Sequence, residues 1–251
     1  MNDNEMITKE TQALSAQVEG PLGFEDDDAE DMIIPRVKIV QMLSPERKSG
    51  DAKEGDIINS LTKERLNGKK FIPVFKFNNN IWWADRSEGG GILCMARDGK
   101  LGNPTDGSAT ILCAKCRKCE FDNTKKGKDA IPVCTKFINF FGFFEGERMP
   151  IILSFGKTNY NEGKKLYSLA KVTMQNIWKY AYELNDKTMA KNGNEWSIIT
   201  VNAAGATSEE DREFAANLFK QFRTSILNFD LEDGTADDTT SPKADLDGTE
   251  F

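Results

Sequence analysis

The sequence contains no histidine. That absence removes imidazole-based nucleophilic and general-base catalysis and leaves cysteine as the only soft metal ligand. No Gly-x4-Gly-Lys-Ser/Thr phosphate loop is present, and Gly89, Gly90 and Gly91 fall in a hydrophilic stretch rather than between a strand and a helix. Apolar runs are short, well under the roughly eighteen residues a membrane-crossing helix needs, so no membrane partner is expected. The first thirty residues are acidic and lack the apolar segment of an export signal. The expected location is therefore the cytoplasm, where thiols stay reduced and disulfides are not expected.

Acids outnumber bases 40 to 33, and the net charge of -7 by itself argues against a nucleic-acid partner. Its distribution reverses that conclusion. Residues 1–31 hold ten acids against the single base Lys9, and residues 230–251 hold eight against Lys243. The intervening residues 32–229 keep 22 acids and 31 bases. A basic body between two acidic arms suits a polyanionic partner for which the arms compete. Charge alone fits equally well with arms that only keep the chain soluble.

Cysteine is sparse and concentrated. All five cysteines lie between Cys94 and Cys134, with Cys113-Ala-Lys-Cys116-Arg-Lys-Cys119 at the centre. A C-x2-C turn aims two sulfurs at one point, and Arg117 and Lys118 favour the thiolate form. Without histidine, a closed tetrahedral site must be all-cysteine: Cys113, Cys116 and Cys134 with either Cys94 or Cys119. Cys94 is preferred, because a ligand distant in sequence staples two strands. Zn2+ is the metal read from this set; an iron–sulfur cluster, which also takes thiolates, is the alternative. Residues 96–133 show little apolar periodicity, and a loop of that length needs something to hold it. Residues 94–134 thus read as a metal-stapled insertion, with a basic loop at Asp122 to Lys128.

The rest of the body is strand-rich. Ile33-Ile-Pro-Arg-Val-Lys-Ile-Val40 alternates so that Arg36 and Lys38 share a face. Phe71 to Phe77 and Ile81 to Ala84, separated by Asn78-Asn79-Asn80, predict a hairpin, in which Trp82 and Trp83 point to opposite faces. Phe137 to Phe144 and Pro150 to Phe155 predict a second hairpin at the sheet centre, its phenylalanines assigned to packing. A short helix follows Lys157, then strands at Ile177 to Leu184 and Trp196 to Val201. Thr207-Ser-Glu-Glu210 predicts a capping box opening a C-terminal helix whose stripe includes Phe214, Leu218 and Phe222. The fold class expected from these patterns is mainly β (α+β), with a zinc-stapled insertion and a C-terminal helix; the OB-like form of the barrel is implied only by the resemblance described below. Residues 1–31 and 230–251 are expected to be disordered acidic arms.

One fragment hints at catalysis. Glu162-Gly-Lys164 matches the E-x-K triplet of metal-dependent nucleases, but no acid lies within Pro150 to Phe155 to complete the site. A non-enzymatic role is expected. Single-stranded nucleic acid is held by a basic groove and aromatic faces, neither of which needs a sequence motif. The candidates are Arg36, Lys38, Lys76, Trp82, Lys157, Lys164, Lys165, Trp178, Lys179 and Tyr180. Trp178 and Tyr180 could equally be the inner face of the last hairpin.

A basic, strand-rich body with a cysteine metal insertion, followed by an acidic tail ending in Phe251, resembles bacteriophage single-stranded-DNA-binding proteins of the T4 and T7 replication type. Ile34-Pro-Arg-Val-Lys-Ile-Val40, Ser154-Phe-Gly-Lys-Thr158 and Gly163-Lys-Lys165 also resemble a group of phage proteins without a firm function. The first resemblance implies an oligonucleotide-binding barrel and a role in DNA replication or recombination inside the infected host cell. It further implies that the tail, through Asp245, Asp247, Glu250 and Phe251, occupies the empty DNA groove and recruits replication or recombination proteins. Homo-oligomerisation stays open. Two other readings stand beside it: a DNA-mimicking or protein-interaction factor acting on a host system, and the metal-dependent nuclease.

Overall fold

The computed structural model describes residues 33–85, 90–121, 124, 132–191, 193–224 and 226. The expected acidic arms, with Asp245, Asp247, Glu250 and Phe251, lie outside the described residues, as does most of the basic loop after Asp122.

Strand β1 (Val37–Ile39) is followed by a short helix α1 (Pro45–Ser49), which begins on a proline and stops at Gly50 with φ 86°. Strand β2 (Ile57–Asn59) pairs with β1. Strand β3 (Lys70–Trp83) is fourteen residues long and runs straight through Asn78-Asn79-Asn80, where a turn was expected. Tertiary hydrogen bonds override the turn preference of these asparagines. Asn139 Nδ2 donates to Asn79 Oδ1 (2.8 Å), and Asn80 Nδ2 donates to the Gly99 carbonyl (3.0 Å). Both asparagines are buried.

The insertion carries β4 (Ile92–Ala96), β5 (Leu101–Pro104) and β6 (Ile111–Leu112), each pairing with its predecessor, β4 on the end of β3. Strand β7 (Cys134–Phe144) then runs antiparallel along β3, with a bulge at Pro73 to Phe75 where proline has no N–H to give the ladder. Strand β8 (Ile151–Gly156) pairs with β7. Helix α2 (Tyr160–Val172) leads to the long hairpin β9 (Tyr180–Lys191) and β10 (Asn194–Ala206), whose strands extend well beyond the expected ends. Helix α3 (Glu209–Phe222) follows.

The body is mainly β, of α+β class. Its strands lie in the order β10–β9–β3–β7–β8, because β9 pairs with the start of β3. This is the order of a five-stranded, partly open Greek-key barrel. The sheet is not closed: among the described residues no ladder joins β8 to β10. The segment before and after β1 spans that gap instead. Arg36 bridges Ile152 of β8 in parallel, and the Ile152 N–H donates to the Pro35 carbonyl (2.9 Å). At its other end Gln41 Nε2 donates to the Ser197 carbonyl (2.8 Å), while the Ser197 N–H donates to Gln41 Oε1 (3.0 Å).

Alternation along the strands divides the apolar residues between two cores. Phe71, Phe140, Phe155, Tyr182 and Val201 face inward, where Leu166 and Ala170 of α2 close one end. Gly163 permits that approach, since a Cβ there would stand 2.7 Å from Phe155 Cβ. Phe75, Phe141 and Phe143 face outward under Ala215, Leu218 and Phe222 of α3. The α3 cap sits one residue later than expected. Ser208 Oγ accepts from the Asp211 N–H (3.1 Å), because the Thr207 hydroxyl is committed to the Trp178 carbonyl (2.9 Å). Among the described residues no helix is long and apolar enough to cross a membrane.

Candidate nucleic-acid groove and thiol cluster

The outer face of β3, β7 and β8 is only partly covered by α3. At its other end lies a groove of about 150 Å³, walled by the Arg36–Gln41 segment, the turn after β8 and the middle of β10. Three aromatic side chains line it: Trp83, Phe137 and Trp196. Trp83 and Phe137 meet edge-to-face with centroids 5.8 Å apart, and Lys157 Nζ lies 5.6 Å from the Trp83 centroid. Phe137 is seated over Gly156, its cross-strand partner, where a Cβ would stand 2.4 Å from ring atom Cε1. Lys157 itself has φ 47°, a backbone state that costs a non-glycine residue of order 1–3 kcal/mol and that clusters at functional sites.

Arg36 and Lys38 do share a face, and both line the groove. Arg36 Nη1 donates to Ser154 Oγ (3.2 Å). Lys38 Nζ pairs with Glu46 Oε2 (3.3 Å), and Glu46 also receives Lys63 (3.1 Å). Burial alone would push the Glu46 carboxyl up, but a backbone hydrogen bond and the two lysines hold it below its usual value. Among the described residues, two of the few buried polar atoms without a protein partner, Asn159 Oδ1 and Trp196 Nε1, belong to groove residues.

The five thiols line a second cavity, of about 270 Å³, at the far end of β3. Trp82 stands opposite Cys94 of β4 on one side and Cys134 of β7 on the other, so all three side chains share a sheet face. Single 3-10 turns at Cys113–Lys115 and Arg117–Cys119 repeat the C-x2-C geometry, with N–H to carbonyl bonds from Cys116 to Cys113 (3.2 Å) and from Cys119 to Cys116 (2.9 Å). Gly102 admits two of the sulfurs: a Cβ there would lie 2.9 Å from Cys94 Sγ and 3.8 Å from Cys113 Sγ. Lys118 Nζ lies 4.8 Å from the Trp82 centroid.

Burial first, then neighbouring thiols, pushes Cys94 up. Burial likewise leads for Cys119 and Cys134, whose thiols also hydrogen-bond one another. Burial thus favours neutral thiols; only a bound cation would hold them as thiolates, and an all-sulfur set fits a soft one. As the side chains stand, no group of three or more cysteines or carboxylates among the described residues is arranged to hold a metal ion. The thiols line a common cavity without converging on a point.

A family model described as Pam3 phage gp34-like protein matches residues 4–227. The chain belongs to that family. It is a phage-protein family, and the match takes in the groove, the thiol insertion and α3. No curated protein and no solved structure matches the chain.

Within this gp34-like fold the candidate binding residues separate. Arg36, Lys38 and Lys157 come together in the groove. Trp82 turns to the thiols, and its neighbour Trp83 takes the groove position. Lys76 lies across the sheet from the groove, beneath Tyr167 of α2, and Lys164 and Lys165 are exposed on α2, Lys165 pairing with Glu162 (3.5 Å). Trp178 packs on Phe219 of α3 with centroids 5.5 Å apart, Tyr180 packs on the inner core, and neither lines the groove. Lys179 is half-buried in the turn before β9, its carbonyl accepting the Thr207 N–H (3.1 Å). The order of the strands identifies Phe137 and Trp196. Alternation within each run was legible, but which face the C-terminal helix leaves open was not.

Proposed function

We propose that the chain is a non-enzymatic single-stranded-DNA-binding protein of phage DNA replication or recombination. The observation that carries this reading is the groove itself: three aromatic side chains beside Arg36, Lys38 and Lys157 on the outer face of a partly open barrel. Phosphates of a strand laid along it would meet Arg36 and Lys157. Base faces would stack on Trp83, Phe137 and Trp196, each stack contributing about 1–3 kcal/mol.

Zinc, on this reading, is held by Cys94, Cys113, Cys116 and Cys134, with Cys119 as the alternative ligand and an iron–sulfur cluster as the alternative occupant. It would supply structural cross-linking of β4, β7 and the C-x2-C turn between them, and no chemistry. Glu162, the one enzyme-like residue, is engaged otherwise: its Oε2 accepts the Val201 N–H (3.1 Å) and so ties α2 to β10. That tie supports a role without catalysis.

The test is a tryptophan-fluorescence titration with oligo-dT at two salt concentrations, about 50 and about 200 mM. Binding with quenching at the lower concentration and a steep loss at the higher is expected. No binding at low salt, including by a chain lacking residues 230–251, overturns the proposal.

A further inference from the structure

Helix α2 carries a pattern that the groove does not use. Tyr160, Lys164, Tyr167 and Lys171 recur at intervals of four, three and four residues, so they form one stripe along the helix. Ring and ammonium alternate in space as well as in sequence. Lys164 Nζ lies 5.1 Å from the Tyr160 centroid, and Lys171 Nζ lies 5.6 Å from that of Tyr167. A further ammonium comes from the sheet, with Lys76 Nζ 5.1 Å from the same Tyr167 centroid.

Among the described residues no acid ion-pairs with Lys76, Lys164 or Lys171; the one acid paired on α2, Glu162, serves Lys165 on a different face. Lys76 Nζ has only the amide oxygen of Asn78 (2.8 Å) and the tyrosine ring, and burial pushes its pKa down. A half-buried ammonium without an anion is costly, and an incoming phosphate relieves that cost.

The stripe is continuous with the groove. Phe137 lines the groove and also a neighbouring polar cavity of about 250 Å³, whose other walls include Lys136 and Tyr160, the first residue of the stripe. A chain leaving the stacked position on Phe137 therefore meets Tyr160 next.

We infer that a single strand of DNA leaving the groove continues over this face of α2, its phosphates on Lys76, Lys164 and Lys171 and its bases against Tyr160 and Tyr167. The inference rests on the proposed groove and extends it to a second tract. At the exposed Lys164 and Lys171 the cation–π contact is weak, so a phosphate draws those lysines off their rings and opens the tyrosine faces to bases.

Strand length separates the two tracts. Oligo-dT of about four nucleotides reaches only the groove, and one of about sixteen, the upper end for a single barrel, reaches the helix. The double variant Lys164→Glu, Lys171→Glu should bind the short strand as the unchanged chain does and the long strand at least tenfold more weakly. Its salt slope on the long strand should fall by about 1.4, two contacts at about 0.7 each. Photocrosslinks from an iododeoxyuridine-substituted long strand should map to Tyr160 or Tyr167 in the unchanged chain. Equal affinity of the folded double variant for the long strand overturns the inference, as do crosslinks confined to groove residues. Failure of the unchanged chain to bind either length removes the groove reading, and this inference with it.

Discussion

Gly156 shows how much of the groove rests on one missing methyl. Its backbone, with φ -140°, is extended and would suit any residue. The constraint is steric, because the Phe137 ring occupies the volume a Cβ would need. Gly156→Ala should therefore displace that ring, destabilise the fold by about 1–3 kcal/mol and weaken oligo-dT binding about tenfold. Denaturant melts and titration of the same preparation separate the two effects; full affinity in the folded variant would remove Phe137 from the binding surface. Asp211 governs stability instead. Burial would raise its pKa, but the Ser208 hydroxyl and the Arg148 guanidinium (2.9 Å) outweigh burial and hold it below the usual carboxylate value. A folded-state pKa below the unfolded one means stability that is present above about pH 4 and lost as pH falls through the folded value. Asp211→Asn should cost about 1–2 kcal/mol at pH 7, and the gap from the unchanged chain should close in acid. A gap constant from pH 7 to pH 2 would contradict this linkage.

At the scale of elements, the sequence was legible wherever one pattern dominated. Helix α3, the β7–β8 pair and the sharing of a face by Arg36 and Lys38 follow from periodicity alone. The asparagine run in β3 misled because its turn chemistry is local, whereas Asn139 and Gly99, which satisfy its side chains, are distant in sequence. The choice between Trp82 and Trp83 failed for a related reason. Alternation places them on opposite faces, but only the pairing of β3 with β4 and β7 says which face holds the thiols. The insertion was recognisable from cysteine spacing, and whether it holds the proposed zinc is a matter for metal analysis. Purified chain should carry about one zinc, retained in Cys119→Ser and lost in Cys94→Ser. Iron in place of zinc would reverse the assignment. Stripping the metal should disorder the β5–β6 region while the β3–β7 and β9–β10 ladders keep most of their far-UV signal, since Cys134, at the end of β7, is the one proposed ligand in either ladder.

At the scale of the whole molecule, the net charge of -7 conceals a body in which bases exceed acids, 31 to 22. The acids in excess lie in the two arms, and the family match, residues 4–227, stops short of the C-terminal one. If the last twenty-two residues compete with DNA for the groove, they act as a tethered anion whose strength depends on screening. The Debye length falls from about 30 Å at 0.01 M salt to about 3 Å at 1 M, so competition should fade over that range. Deleting residues 230–251 should then tighten oligo-dT binding about tenfold at low salt and leave it nearly unchanged at high salt. The effect should be largest with the long oligonucleotide, because its proposed path puts more phosphates in competition with the tail's carboxylates. Equal affinities of the full and shortened chains at every salt concentration would leave the tail as a solubilising segment and place all control of binding in the folded body.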